Sequence, residues 1–215
     1  MNIEHFTVGP FQSSCYIAWG AEQRALVIDP GADAAAILAF LDARGLGVAA
    51  YLLTHGHMDH IGALAEMAAK HPVPYGMHAL DFKWAFGALN QSPPYYSVPR
   101  RPAGAVRTLE DGQTWTDGGL GYTVIGTPGH SPGSVCFYFP SDRVLFSGDT
   151  LFQGTVGRTD LPGGDGRVLA QSLHKLAQLP PETRILPGHG PATRLAEELR
   201  INPFLKRPQA GGGGL

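Results

Sequence analysis

The stretch Thr54-His55-Gly56-His57-Met58-Asp59-His60 decides how this chain of 215 residues is read. It follows the apolar run Ala49-Ala50-Tyr51-Leu52-Leu53, a strand by composition, and precedes an amphipathic segment that reads as a helix through about Lys70. The polar cluster therefore sits at a strand-to-helix junction. His55, His57 and Asp59 are spaced i, i+2, i+4, so their side chains emerge on one side as the strand ends, while His60 begins the helix and is turned elsewhere. One short loop can thus feed two neighbouring metal positions. With 9 His and 11 Asp in 215 residues, a His-x-His-x-Asp-His run arises by accident about once in 1,300 such chains.

Upstream of the cluster, three β-like segments at 2–8, 14–19 and 24–29 read as an antiparallel edge, and a helix over Asp33–Arg44 leads into the 49–53 strand. Downstream come a short strand near Val73–Met77, a helix over Ala79–Leu89, and a segment at 90–104 whose four prolines exclude regular structure and make it a long loop or lid. Strands follow at 106–108, 113–116, 121–126, 134–139 and 143–148. A glycine-rich loop then runs through 166, ahead of a helix over 167–179, a strand at 183–186 and a helix around Arg194–Arg200. This layout of strands and helices in both halves suits two sheets with helices outside. Residues 1–207 are expected to form one domain and 208–215 a disordered tail, because Gly211–Gly214 has no side chains to bury.

Three further loops each follow a β-like segment and each hold one candidate ligand: His130 in Thr127-Pro128-Gly129-His130-Ser131-Pro132-Gly133, Asp149 in Ser147-Gly148-Asp149-Thr150, and His189 in Pro187-Gly188-His189-Gly190. Glycine beside each one permits the backbone turn that aims the side chain. Taken together and in this order, His55, His57, Asp59, His60, His130, Asp149 and His189 resemble the metallo-β-lactamase superfamily. The resemblance spans about residues 2 to 200 and implies a mixed α/β, four-layer αβ/βα sandwich of two mixed sheets with outer helices. Carried over residue by residue, it implies that His55, His57 and His130 bind a first metal, Asp59, His60 and His189 a second, and Asp149 bridges them. Imidazoles and carboxylates suit two divalent ions of zinc, iron or manganese, about 3.5–4 Å apart and sharing a hydroxide. Two such ions against two aspartates and one hydroxide leave about one net positive charge, which favours an anionic group or a carbonyl becoming an oxyanion. Asp29 resembles the family's aspartate that holds a ligand imidazole by hydrogen bond, although a turn or helix-capping role suits it equally.

The stretch from Gly148 through Gly157-Arg158-Thr159-Asp160 to Asp165, with Gly188-His189-Gly190-Pro191-Ala192-Thr193 and Asn202-Pro203-Phe204-Leu205, is similar to the short bacterial glyoxalase II (hydroxyacylglutathione hydrolase-like) proteins. That resemblance implies hydrolysis of a small thioester, S-D-lactoylglutathione, to D-lactate and glutathione by attack of the metal-bridging hydroxide, with Asp59 and Asp149 in the catalytic centre. Longer relatives carry a C-terminal helical domain with basic glutathione contacts, whereas only 26 residues follow His189 here. Tyr95, Tyr96, Arg100 and Arg101 are candidates to replace those contacts. Arg158 is a further candidate, although pairing with Asp160 to orient the glycine-rich loop suits it better.

An alternative within the same fold is a persulfide dioxygenase using one iron held by His55, His130 and Asp149. A non-catalytic binding member would be marked by a lost ligand, and none is missing. A β-lactamase is disfavoured because one subclass has Cys at the place of Asp149 and no export signal is evident. The net charge of -2, without a basic stripe, argues against a nucleic-acid partner, and no apolar stretch suffices for a membrane span. A cytoplasmic location is therefore expected, with Cys15 and Cys136 as buried free thiols. His5, His71, His78 and His174 lie outside any multi-ligand motif and read as surface or core residues, and Trp19, Trp84 and Trp115 as core.

Overall fold

The structure, a computed structural model, describes residues 1–205. The expected tail at 208–215 lies outside the described residues. The first sheet runs in the order β1 (Asn2–Val8), β2 (Ser13–Trp19), β3 (Arg24–Ile28), β4 (Gly47–Leu52), β5 (Tyr75–His78) and β6 (Val106–Leu109). Its first three strands are antiparallel and its last three pairings parallel. The second half supplies β7 (Thr114–Asp117), β8 (Leu120–Gly126), β9 (Val135–Phe139), β10 (Val144–Gly148), the small hairpin β11 (Leu151–Phe152) and β12 (Thr155–Val156), then β13 (Arg184–Pro187) and β14 (Thr193–Arg194). Except for the hairpin these form a second sheet, ordered β14-β13-β10-β9-β8-β7, in which only β10 and β13 pair in parallel.

Among the described residues six helices accompany the sheets: α1 (Ala34–Ala43), α2 (Met58–Ile61), α3 (Leu64–Lys70), α4 (Ala79–Phe82), α5 (Gly166–Leu176) and α6 (Leu195–Ile201). Alternation along the strands sends side chains to both faces of each sheet, and both faces are covered. Tyr16, Leu26, Ile28 and Leu52 of one sheet meet Tyr122, Phe137, Phe139 and Phe146 of the other in the middle layer. Ile37 and Leu41 of α1 with Leu64 and Met67 of α3 cover the outer face of the first sheet, and Leu169, Leu173 and Leu176 of α5 with Leu195 of α6 that of the second. This is the expected αβ/βα sandwich.

Several boundaries differ from the sequence reading. The helix expected to run from His60 through Lys70 is broken at Gly62-Ala63, where the chain presses on the Pro30-Gly31 turn: Ala63 N donates to Pro30 O at 3.0 Å, and a Cβ on Gly62 would lie 2.5 Å from Gly31 O. The helix expected over Ala79–Leu89 is a single turn, after which the chain folds back over the 54–60 loop and Asn90 is buried against it. Strands β11, β12 and β14, two residues each, are too short to show a period. Asp33 precedes α1 in a left-handed conformation but does not cap it, its carboxylate accepting from Gly9 N instead.

Candidate metal centre

All the candidate ligands come from loops, or from the short helix α2 that holds Asp59 and His60, at one edge of the sandwich. Asp29 follows β3, Thr54–His60 follows its parallel neighbour β4, Asp149 follows β10, and His189 follows β13, the parallel neighbour of β10. Parallel neighbours end at the same edge, so residues more than a hundred positions apart meet there. The sheets are stitched together at this edge by Val135 N donating to Thr54 O at 2.8 Å, which brings in the β8–β9 loop with His130.

The side chains fall into two triads, His55 with His57 and His130, and Asp59 with His60 and His189; in each, one nitrogen or oxygen per residue lies within 4.8 Å of the others. In the first, His57 Nδ1 is 2.9 Å from His130 Nε2. In the second, His189 Nε2 is 3.3 Å from Asp59 Oδ2 and 3.3 Å from His60 Nε2. Asp149 lies between, with Oδ1 3.5 Å from His60 Nε2 and Oδ2 3.6 Å from both His130 Nε2 and His189 Nε2. The sequence-derived set of seven is thus brought together.

Outer hydrogen bonds decide which ring nitrogen faces the centre. His130 Nδ1 donates to Arg158 O at 2.8 Å, and His60 Nδ1 to Asp29 Oδ2 at 3.1 Å. The Thr54 hydroxyl donates to Asp29 Oδ2 at 2.5 Å, so its oxygen accepts from His55 Nδ1 at 3.0 Å. Nε2 of each of these three rings thereby faces inward, its lone pair free for a metal ion once any proton there is displaced. Asp29 makes these contacts from a left-handed backbone at φ 50, and it does not cap a helix.

His55 Nε2 and Asp149 Oδ1 are buried without any hydrogen-bond partner among the described residues, a costly arrangement unless another partner completes it. The charges agree. Burial lowers the His60 pKa, yet Asp59, Asp149 and Asp29 around it push it up to about 10. Burial raises the Asp59 carboxyl, but His60, His189 and the Ser13 hydroxyl hold it well below the usual carboxylate range. His55 and His57 shift the other way, lowered by burial and then by neighbouring imidazoles, His57 to about 4. The pocket thus favours positive charge among its carboxylates and neutral imidazole in the first triad. An imidazole and carboxylate donor set with inward lone pairs fits divalent metal ions.

A cavity of about 640 Å³ opens onto His57, Asp59, His130, Asp149 and His189, while His55 and His60 lie behind them. Its walls include Phe11, Met58, Phe152, Val156 and Leu161, with Gln91, Ser92, Thr155 and Arg158 as polar members. The proline-rich segment does reach the cavity, but through Gln91 and Ser92. Tyr96 and Arg100 border a separate groove with Asp33 and Glu66, and the guanidinium of Arg101 lies over the Phe82 ring at 4.4 Å. Exposed Tyr95 touches the cavity only indirectly, through Phe11 at 5.8 Å between ring centroids. None of Tyr95, Tyr96, Arg100 and Arg101 therefore lines the cavity, although Tyr96 packs on Phe11 at 5.0 Å between ring centroids and its hydroxyl, its pKa raised first by burial, also feels Asp59 and Ser13. Arg158 lies at the cavity with Nε and one terminal nitrogen both 2.7 Å from Asp160, the pairing expected of it.

Sequence reasoning missed four supporting residues. Ser13 donates to Asp59 Oδ2 at 3.0 Å, and its neighbour Ser14 binds Gly188 O through its amide at 2.7 Å. Thr54 relays Asp29 to His55. Asp81 is fully buried and accepts from Gly56 N, Ser131 Oγ and Gly133 N, its carboxyl pushed up by burial against these donors. Asn90 holds Gly56 O at 2.8 Å and Met58 N at 3.2 Å. Only Thr54 carried a local signal, its position beside the motif. Trp84, expected in the core, is half-buried with its ring 5.2 Å from that of His57, and Trp115 is half-buried beneath Arg107. Trp19, Cys15 and Cys136 are buried, both cysteines free.

This fold and clustered His/Asp site define a metal-binding hydrolase class, and the chain belongs to the metallo-β-lactamase superfamily, whose family model matches residues 8–189. It is 39% identical to the probable metallo-hydrolase YqgX of Bacillus subtilis, covering 95% of this chain and 98% of that protein. It is 35% identical to the hydroxyacylglutathione hydrolase GloC of Haemophilus influenzae, again over 95% and 98%. Among solved structures it is similar to TTHA1623 in a di-iron-bound form (43% identity, TM-score 0.86, 94% and 100% coverage) and to the BLEG-1 B3 metallo-beta-lactamase (38%, 0.89, 96% and 100%). No helix among the described residues is long and apolar enough to cross a membrane.

Proposed function

We propose that the chain is a cytoplasmic dinuclear metallo-hydrolase that cleaves acyl-thioesters of the S-D-lactoylglutathione type. The observation that carries this reading is Asp149, whose oxygens lie 3.5–3.6 Å from nitrogens of both triads at the floor of one cavity. His55, His57 and His130 would hold one ion, Asp59, His60 and His189 the other, and Asp149 both. When bound, two divalent ions supply a water deprotonated near neutral pH and Lewis acidity toward the thioester carbonyl. The protein's share is positional. Asp29, Thr54 and the Arg158 carbonyl fix the ring orientations, and Ser13 fixes Asp59. Phe152, Val156 and Leu161 present an apolar wall to the acyl-thioester, and Gln91, Ser92 and Arg158 offer it polar contacts. Kinship with GloC supports a hydroxyacyl thioester with glutathione as its thiol half.

The dioxygenase alternative needs only His55, His130 and Asp149, so an ion held by Asp59, His60 and His189 is what separates the two readings. Elemental analysis of the purified protein, with thioester hydrolysis assayed with and without chelator, tests the proposal. Two metals per chain and chelator-sensitive hydrolysis are expected. One iron per chain, with sulfite formed from glutathione persulfide, would overturn it.

A further inference from the structure

Resting on that reading of the metal positions, we propose that Asp81 is the positioning residue of the first one, a spacer that sets the distance between the His55-Gly56-His57 loop and the His130 loop. Its side chain is fully buried, and its two oxygens together reach both loops. Oδ2 accepts from the amide of Gly56, the residue between two candidate ligands, at 2.9 Å and from the Ser131 hydroxyl at 2.6 Å. Oδ1 accepts from the Gly133 amide at 2.6 Å. One carboxylate thereby ties together the segments that place His57 Nδ1 and His130 Nε2 2.9 Å apart.

The glycines give a second, independent sign. Neither Gly56 nor Gly133 has a positive φ, so neither is there for a left-handed turn. They leave room instead. A Cβ on Gly133 would lie 2.7 Å from both N and Oδ1 of Asp81, and one on Gly56 would lie 3.3 Å from its Cβ and 3.0 Å from that of Ala85. The backbone of both ligand loops has been brought against this one acid. Nothing comparable links Asp81 to Asp59, His60 or His189, whose supports are Ser13 and Asp29. The effect should therefore be confined to the first position.

The carboxylate is specifically required, because all three of its partners are donors. An asparagine has a single acceptor oxygen, so its NH2 must face either the Gly133 amide or the Gly56 amide, and one of the two ligand loops loses the acceptor for its backbone N–H. Zinc is the probe. Affinity at each position is read by chelator competition, with anomalous density to locate the retained ions and the melting temperature of chelated protein as a control for folding.

For Asp81→Asn the expected result is zinc about 10- to 100-fold weaker at His55-His57-His130, the usual range for loss of a residue that orients ligands, with the second position unchanged. Ser131→Ala, which removes one of two donors on Oδ2, should give a smaller loss at the same position and decides the matter if Asp81→Asn does not fold. Wild-type affinity at the first position in the variant that folds, or equal loss at both, would overturn the role of Asp81 alone. A wild-type chain that takes up no zinc at either position would overturn the metal-site reading beneath it.

Discussion

The carboxylate of Asp29 accepts the Nδ1 proton of His60 at 3.1 Å and, through the Thr54 hydroxyl, also governs His55. One side chain outside the cavity thus orients one imidazole of each triad. Asp29→Asn suits the left-handed backbone at φ 50, which Asn tolerates, but it removes one acceptor facing Thr54 and His60. Metal affinity at both positions should fall about 10- to 100-fold, in contrast with the one-sided effect expected at Asp81. Chelator competition measures it, and unchanged affinity would deny Asp29 this part.

Asp149→Ala and His189→Ala should behave differently. The first removes the group between the triads, so fewer than one metal per chain and a loss of turnover greater than about 100-fold are expected by elemental analysis and thioester assay. The second leaves His55, His57 and His130 intact and should retain close to one. Thioester turnover that survives Asp149→Ala would overturn the bridging assignment.

Metal removal should leave a pH signature. In the chelated protein His60, whose pKa burial lowers but the surrounding carboxylates push up to about 10, should stay protonated well past its ordinary value of 6.5. A raised histidine pKa contributes stability that is complete below about 6.5 and is lost as pH rises through about 10. Asp59, shifted downward, contributes above the ordinary carboxylate pKa and loses its share in acid. The melting temperature of chelated protein should accordingly decline from pH 6.5 to 10. Metal loading should strengthen over the same window, because the ion must displace the His60 proton. A flat alkaline profile without metal would count against the charge balance described for the pocket.

The exposed pair Arg158 and Asp160 offers a test of substrate charge. Arg158→Ala should raise KM for an anionic thioester several-fold and leave stability unchanged, since exposed ion pairs add little to folding. Asp160→Asn, which frees the guanidinium, should lower KM for the same substrate. A parallel assay with a neutral N-acetylcysteamine thioester should show neither change. Identical shifts for both substrates would assign the pair to loop shape rather than recognition.

The legible part of the site was the part carried by residue type. Imidazoles and carboxylates in glycine-bearing loops after strands stand out in one dimension, because metal chemistry restricts which side chains can appear there. The supports did not stand out. Ser13, Asp81 and Asn90 are ordinary polar residues lying 46, 25 and 34 positions from their partners Asp59, Gly56 and Gly56, and no local pattern marks such pairings. The expected helix over Ala79–Leu89 failed for the same reason: propensity favoured it, but burial of Asp81 and Asn90 against the ligand loop outweighed propensity. Glycines 56 and 133 are sites of close approach, which only the packed structure shows.

Sequence alone marked the seven candidate ligands and the order of strands and helices around them, because hydrophobic period and donor chemistry are both local properties, and the four-layer sandwich followed from the resemblance those residues carry. Tertiary structure decided which nitrogens face the centre, which side chains wall the cavity, and that the tyrosines and arginines of the proline-rich segment do not line it. Those outcomes depend on where parallel strands end side by side and on which donors remain unpaired once they do, quantities that exist only after the two sheets have closed on each other.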